Sequence, residues 1–201
     1  MKKILVMVAV ALMTAMSAQA QSNGYDTKHE VSVSYGIDSN SQWLDVLENT
    51  TLIIASGATA SFDNDRFLGP ISVEYFYHLK PWVGVGGIFA YGSNKQDILF
   101  SGKKDGELKH SYYTLMPAVK FDWLRKKHFG MYSKLAVGMT LRTENIEDSD
   151  PSVKSEDNTM MHLNWQASFL GIEAGSPTVR GFAELGFGEQ GIILAGVRYK
   201  F

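Results

Sequence analysis

The sequence of 201 residues contains no cysteine. A disulfide framework is therefore excluded, and so is lipoprotein processing, which needs a cysteine after the signal sequence. Beyond the amino-terminal segment, no apolar run reaches the length of about 18 residues that indicates a membrane-spanning helix. The formal net charge of −2 lacks the basic excess typical of nucleic-acid binding. If this chain resides in a membrane, it must form a closed barrel, because open sheet edges cannot be satisfied in lipid.

The amino-terminal segment has the three parts of a secretory signal peptide. Met1-Lys2-Lys3 is basic, residues 4–16 are almost wholly apolar, and Ala18-Gln19-Ala20 offers small residues to a signal peptidase. An uncleaved anchor helix is disfavoured, because a segment of that length cannot cross a hydrocarbon core that takes about 20 residues. We therefore expect residues 1–20 to be a signal peptide and residues 21–201 to form one barrel domain.

The last segment of the sequence alternates in polarity with a period of two. One face of the predicted strand is wholly apolar, whereas the other carries Arg198 and Lys200. A strand with one apolar and one partly charged face is typical of a barrel wall between lipid and a polar interior. The apolar positions are Ile193, Ala195, Val197, Tyr199 and Phe201.

Seven further stretches show similar alternation, so the sequence predicts eight strands. Long connections are expected at 38–70, 93–111 and 143–161, with short turns between them. Outer-membrane barrels have long outer loops and short periplasmic turns, which places both termini on the periplasmic side. The last outer connection, Gly188-Glu189-Gln190-Gly191, is predicted to be a tight hairpin. The predicted strands are 29–37, 71–79, 82–92, 112–123, 129–142, 162–172, 180–187 and 192–201.

The two faces of these strands differ in charge. The faces that we assign to lipid, which include Gly171 in the sixth strand, carry no charged residue, although 20% of the chain is charged. This polarity disfavours a soluble lipocalin-like barrel, which would keep its apolar residues inside. The opposite faces carry ten charges, which are predicted to pair and close the lumen. These ten residues are Glu30, Glu74, Lys120, Asp122, Lys134, Arg142, Arg180, Glu184, Arg198 and Lys200.

The signal peptide, the eight strands and the terminal Gly196-Val197-Arg198-Tyr199-Lys200-Phe201 resemble those of the small eight-stranded outer-membrane β-barrel family. Segments such as 73–77 and 182–188 are similar to its porin-like members from Gram-negative bacteria. The resemblance implies an all-β, antiparallel, up-and-down barrel in the outer membrane, in contact with lipid and lipopolysaccharide. It also implies that Val197, Tyr199 and Phe201 form an assembly signal for the barrel-insertion machinery. Pro117 departs from the pattern, and a bulge or broken bond is expected there.

Candidate catalytic residues are sparse. His110 and His162 are predicted in the outer half, where a lipid A-modifying enzyme would keep a histidine, a serine and a carboxylate. His162 and Ser168 are separated by about 20 Å along a strand, so their spacing does not place them in contact. The sequence has no metal-ligand spacing, phosphate-binding loop or nucleophile elbow.

The predicted outer loops offer two candidates for interaction. The first loop has apolar residues spaced for one face of a helix, which predicts a cap over the barrel mouth or a helix on the lipid interface. A partner-binding helix is the functional alternative, and we favour the cap because an apolar stripe usually packs on its own protein. The acidic third loop, 144–157, is predicted to be solvated, since it lacks the spacing of a calcium loop. The helical positions are Trp43, Val46, Leu47, Thr50 and Ile54.

The predicted function follows from these features. We expect a monomeric outer-membrane barrel with a structural or adhesive role through its outer loops, without enzymatic activity, cofactor or bound nucleic acid. Two alternatives stay open at the level of the sequence. One is a lipid A-modifying membrane enzyme, and the other is a small solute channel.

Overall fold

The structure is a computed structural model that describes residues 27–46, 60–100, 103–148 and 156–201. Side chains are described over 27–46, 68–96, 108–145 and 159–201. The predicted signal peptide lies outside the described residues, as do helical positions Leu47, Thr50 and Ile54 of the first loop. In the described part of the chain, no helix has the length and apolar character of a membrane span.

Eight antiparallel strands close into a single barrel, in which each strand pairs with its neighbours in sequence and the first pairs with the last. The predicted all-β, eight-stranded, up-and-down architecture is therefore confirmed. Short turns join the strands at one end, where Phe201 also pairs with His29 through two backbone hydrogen bonds of 2.9 Å. The strands are β1 (His29–Ile37), β2 (Ala60–Lys80), β3 (Val83–Phe100), β4 (Lys103–Arg125), β5 (Phe129–Asp148), β6 (Glu156–Gly175), β7 (Val179–Gly188) and β8 (Ile193–Lys200).

Side chains alternate between a buried interior and an exposed outer surface. The exposed positions are apolar: Val33 is 52% exposed and Leu163 is 72% exposed. The buried positions include charged residues such as Lys120, Lys134 and Arg198, which have no accessible surface. A soluble barrel has the reverse polarity. The inside-out arrangement, with exposed aromatic residues toward both ends of the strands, is that of a transmembrane barrel.

Five strands, β2 to β6, are longer than the sequence predicts by several residues. The β3–β4 ladder continues from Ser93↔Ser111 to Phe100↔Lys103, so the long loop predicted at 93–111 is mostly strand. The acidic segment is also partly strand, since β5 runs to Asp148 and β6 begins at Glu156. Above a membrane both faces of a sheet meet water, so the period of two in polarity that marks the lower strands is lost. The backbone ladder continues without it.

Two irregularities affect the wall. The β4–β5 pairing passes from Leu115↔Met139 to Ala118↔Ala136 with no change of register. The ladder is thus interrupted around Pro117, which has no N–H to donate, but it is not bulged there. In β6 the register shifts between Ser168 and Leu170, and the faces exchange beyond that point.

The prediction that Gly171 faces lipid is wrong because of this shift. Gly171 is buried, and a Cβ at that position would lie 2.4 Å from Cζ of Tyr132. The absence of a side chain therefore makes room inside the barrel for the tyrosine ring. The same change of phase turns Glu173 inward, where it is 1% exposed.

Candidate functional site

The lower and middle lumen is filled by a network of five acidic and five basic side chains. Every strand except β3 contributes a charge, so the network crosses the barrel rather than following one wall. The formal charges cancel, which satisfies the requirement that buried ions be paired. The acids are Glu30, Glu74, Asp122, Glu173 and Glu184, and the bases are Lys120, Lys134, Arg180, Arg198 and Lys200.

Glu173 has the most cationic neighbours among the acids of this network. Its Oε1 accepts a hydrogen bond from Nη1 of Arg180 at 2.6 Å and another from Nζ of Lys200. Its Oε2 accepts from Nη1 of Arg198 at 2.7 Å and lies 3.8 Å from Nζ of Lys120. Four bases from β4, β7 and β8 therefore converge on one carboxylate of β6.

Arg198 has the complementary position among the bases. Besides Glu173, its guanidinium lies within 4 Å of Glu30, Glu74 and Glu184. The guanidinium also stands over two aromatic rings, 4.7 Å from the centroid of Tyr132 and 4.4 Å from that of Phe182. These contacts fill the lumen with side chains and leave the charges enclosed.

A second group of polar residues closes the outer mouth of the barrel, above the lower network. A helix over residues 40–46, here called the cap helix, follows β1 through Asp38, which has a φ of 58°. The helix begins with a capping box: Ser39 N–H donates to Oε1 of Gln42 at 2.8 Å, and Gln42 N–H donates to Oγ of Ser39 at 3.4 Å. The local sequence therefore fixes where the chain turns across the mouth.

Asp45 joins the cap helix to strands β3 and β4. Its carboxylate accepts hydrogen bonds from Nδ2 of Asn94 at 3.0 Å and from the hydroxyl of Tyr112, and contacts Nδ1 of His110 at 2.9 Å. Burial alone would raise the pKa of Asp45, but these hydrogen bonds hold its pKa below the ordinary value. Arg142 lies 3.6 Å from the same carboxylate.

Glu189 joins the cap helix to strands β4 and β6. It lies in the tight β7–β8 turn, whose side chains fold into the mouth, and it accepts hydrogen bonds from Ser41, Asn164 and Thr114 at 2.8 to 3.2 Å. Burial raises the pKa of Glu189 in spite of these donors. Gln190 of the same turn reaches down and donates to Oε1 of Glu74 at 2.8 Å, which connects the mouth to the lower network.

The cap helix therefore closes the mouth with its polar face, and the expectation that its apolar stripe packs on the barrel is wrong. Ser41 and Asp45 are buried, whereas Trp43 is 56% exposed and Val46 is 50% exposed. The physical reason is the surroundings of the mouth: the barrel interior offers polar partners, and the apolar medium lies outside.

All ten charged residues predicted for the lumen lie inside the barrel in the structure. Nine of them belong to the lower network, and Arg142 belongs to the mouth group with Asp45. Sequence reasoning missed Glu173, because the bulge in β6 changes the phase just before it. It also missed Asp45 and Glu189, which lie in a loop helix and a turn where a period of two gives no signal. A charge at Glu173, where the lipid-facing series would have continued, was the one available hint of the bulge.

The candidate catalytic residues are separated. Ser168 donates to Oε2 of Glu184 at 2.6 Å in the middle of the lumen, while His162 lies near the outer rim of the same strand. His110 has a carboxylate partner in Asp45, and its Nε2 faces Oε2 of Glu144 at 3.5 Å. Nε2 of His110 therefore faces a carboxylate at the place where a general base for acyl transfer needs a hydroxyl or thiol nucleophile. Among the residues described here, no group of three or more His, Cys, Asp or Glu has the geometry of a metal site.

The predicted assembly residues lie together on the outer surface at the closing seam. Val197 and Tyr199 of β8 are exposed and pair with Val33 and Val31 of β1. The ring of Phe201 stacks on Tyr199 at 5.6 Å and on His29 at 5.3 Å. These side chains therefore form an apolar strip along the β1–β8 junction.

These features define a closed, eight-stranded transmembrane β-barrel of the outer-membrane type, with a lumen filled by paired charges. No protein-family model and no curated protein matches the sequence. Among solved structures, it is similar to Ail, the attachment invasion locus protein of Yersinia pestis, with 14% identity and a TM-score of 0.45. A structure of Ail in complex with the heparin analogue sucrose octasulfate aligns with 15% identity and a TM-score of 0.46. Each alignment covers 87% of this chain and 99% of the other.

Proposed function

We propose that this protein is a monomeric, non-conducting barrel of the outer membrane that presents an interaction surface to the cell exterior. The observation that carries this proposal is the unequal length of the strands. β2 to β6 continue beyond the outer rim, whereas β1, β7 and β8 end there. In β3, for example, the segment from Tyr91 to Phe100 is about 30 Å long at 3.4 Å per residue.

The extension has two edges that the barrel does not pair. Residues 60–68 of β2 lie beyond the β1 pairing, which ends at Tyr35↔Ile71, and residues 156–164 of β6 lie beyond the β7 pairing, which begins at Gln166↔Gly188. Within the described ranges, each of these edges therefore has a strand neighbour on one side alone. An unpaired edge is a template for a strand from another molecule, which gains backbone hydrogen bonds on binding.

The β6 edge shows which backbone groups would take part. The carbonyl of Trp165 points to the β7 side, because it accepts from Glu189 N–H at 2.9 Å. Backbone direction alternates along a strand, and the β5–β6 register is continuous here, so Leu163 and Met161 also direct their N–H and C=O groups to the free edge. Met160, Met161 and Leu163 are exposed as well, which provides side-chain contacts for a partner strand.

The filled lumen supports the same proposal against a channel. An open pore requires a continuous water path, whereas here the charges are paired and the mouth is covered by the cap helix and the Glu189 turn. The separated His162 and Ser168 offer no support for a lipid A-modifying enzyme. We also propose that the protein contacts outer-membrane lipid and lipopolysaccharide, and that the barrel-insertion machinery reads Val197, Tyr199 and Phe201.

The test is a proline substitution at the free edge. Met161→Pro removes one edge-facing N–H without removing a β5–β6 bond, and Met161→Ala is the matched control that keeps the N–H. In bacteria that display equal amounts of folded protein, we expect Met161→Pro to reduce adhesion to an epithelial monolayer and autoaggregation, and Met161→Ala to retain more of both. Equal adhesion and autoaggregation by the parent, Met161→Pro and a strain without the protein would contradict the proposal.

A further inference from the structure

The exposed charged side chains at the periplasmic end of the barrel are all basic within the described ranges. Four lysines are exposed there, one before β1, one at the end of β2 and two in the β4–β5 turn. The acidic side chains described at this end are buried in the lower network, where they are paired. The exposed lysines, here called the basic rim, are Lys28, Lys80, Lys126 and Lys127, and the buried acids are Glu30, Asp122 and Glu173.

Two arginines hold the backbone of the basic rim in place. Arg125 donates through Nη1 to the carbonyl oxygen of Pro81 at 3.3 Å and through Nη2 to both oxygens of Thr27, so it ties the β4–β5 turn to the β2–β3 turn and to the start of β1. Arg180 donates from inside the barrel to the carbonyl oxygens of the two turn lysines, at 2.7 and 3.0 Å. These bonds use main-chain oxygens, and the lysine side chains stay exposed.

The basic rim lies at the level of the lipid headgroups. Trp82 and Phe129 are exposed at this end of the wall, where aromatic residues mark the membrane interface. Nζ of Lys80 lies 6.0 Å from the centroid of the Trp82 ring, and Lys127 precedes Phe129 by two residues. The headgroup layer adds about 5 to 8 Å on each side of the hydrocarbon core. Turns this short therefore place the lysine ammonium groups within that layer.

We propose that the basic rim binds the headgroups of anionic phospholipid in the inner leaflet of the outer membrane. The inference rests on the proposed outer-membrane location and on the expected periplasmic position of the short turns. Clustered basic residues beside a membrane surface attract anionic headgroups. The formal charges of the lower network cancel, so the exposed lysines and Arg125 set the sign of the charge that the headgroups meet.

A phospholipid suits the geometry better than a polymer of the cell wall does. The four lysines come from three separate segments around the end of the barrel, which fits several small headgroups rather than one extended ligand. The turns also end within the headgroup layer, so a polymer in the periplasm would have to displace lipid to reach the ammonium groups. Lysine side chains bury their methylene stems along apolar surface and keep the charge at the interface, which matches this position.

The test measures which phospholipid lies next to this end of the folded barrel. A chain with Trp43→Phe and Trp165→Phe keeps two tryptophans, Trp82 and Trp123, both toward the periplasmic end. It is refolded into vesicles of phosphatidylcholine and phosphatidylglycerol in which one lipid or the other carries bromine on its acyl chains. At equal mole fraction we expect brominated phosphatidylglycerol to quench the fluorescence more strongly, and added salt to reduce the difference.

Neutral substitutions locate the effect. Lys126→Gln with Lys127→Gln should lower the preference for phosphatidylglycerol severalfold, because one basic residue near an anionic surface contributes up to about fivefold. Lys28→Gln with Lys80→Gln should act in the same direction. Lys95→Gln is the matched control, since Lys95 is an exposed lysine of β3 beyond the outer rim, and it should behave like the parent.

Three results would overturn the proposal: equal quenching by the two brominated lipids in the parent, a preference that survives both pairs of substitutions, or an equal loss in Lys95→Gln. Retention of the parent on purified peptidoglycan without any lipid preference would favour the cell wall instead. The substitutions keep the main-chain oxygens that the arginines bind, and heat-dependent mobility in gels confirms a folded barrel for each variant. The measurement uses no cell adhesion, so its outcome is separate from that of the Met161→Pro experiment.

Discussion

Glu173→Gln should be the most informative single change in the lumen. The substitution keeps the shape of the side chain but removes one negative charge from the contacts with Arg180, Arg198 and Lys200. The network then holds five bases and four acids in a space that has almost no accessible surface. Breaking a buried ion pair by removing one partner costs about 3–5 kcal/mol, because the other partner stays buried and uncompensated. We expect a loss of that size in the free energy of unfolding at neutral pH.

The measurement is urea unfolding of the refolded barrel in phospholipid vesicles, followed by tryptophan fluorescence. Glu144→Gln is the matched control, because Glu144 is partly exposed at the rim and meets His110 and Arg142 at 3.5 and 3.8 Å. Both partners of Glu144 keep the carboxylate of Asp45 nearby, so this control should lose much less stability than Glu173→Gln. If Glu173→Gln prevents folding altogether, Lys200→Met in the same chain should restore part of the stability, because it makes the numbers of buried bases and acids equal again. Equal stability of Glu173→Gln, Glu144→Gln and the parent would refute the reasoning.

Four further outcomes are expected. The barrel should run at two apparent sizes in SDS gels, depending on whether it is heated, because a closed ladder resists SDS until boiled; a single mobility would contradict closure. In planar bilayers the unmutated protein should show little steady conductance, since paired charges fill the lumen; a large stable conductance would favour the channel. Phe201→Ala should lower membrane levels more than Phe169→Ala, an exposed lipid-facing control on β6; equal levels would reject the assembly role. His110→Ala and His162→Ala should leave the lipid A acylation pattern unchanged by mass spectrometry, and loss of a product would favour the enzyme.

The period of two in polarity predicted the barrel and the interior position of ten charges, because within a membrane each strand meets lipid on one side and a polar lumen on the other. The same rule gave wrong predictions wherever a strand did not have lipid on one side and the lumen on the other, or where the alternation of its two faces was broken. Beyond the outer rim both faces meet water, so the extensions of β3 and β4 past Ser93 and Ser111 left no alternation to detect. At Ser168 a bulge exchanged the two faces, and neither Gly171 nor Glu173 could be placed by counting.

The predicted cap helix does cover the mouth, but the orientation predicted for it was wrong, for a different reason. An amphipathic helix in a water-soluble protein buries its apolar stripe against the protein. Applying that rule to this helix predicted the wrong orientation. Next to a polar lumen and an apolar membrane, the face that finds partners on the barrel is the one with Ser41 and Asp45. The partners themselves, Glu189, His110 and Asn94, come from three distant parts of the chain, and the order of the residues does not indicate that they meet.

The lumen network also explains how one sequence can favour a closed barrel over an open sheet. Arg198 of β8 lies 3.7 Å from Glu30 of β1 and 3.5 Å from Glu74 of β2, and Lys200 of β8 lies 3.6 Å from Glu30. These pairs join the last strand to the first two, so they form only when the wall has curved round and β1 has met β8. An open or partly closed sheet in lipid would leave these charges without partners in an apolar medium, at a cost of several kcal/mol each. The charges that fill the lumen therefore penalise incomplete closure, and the resulting rigid barrel supports the sheet that projects outside the membrane.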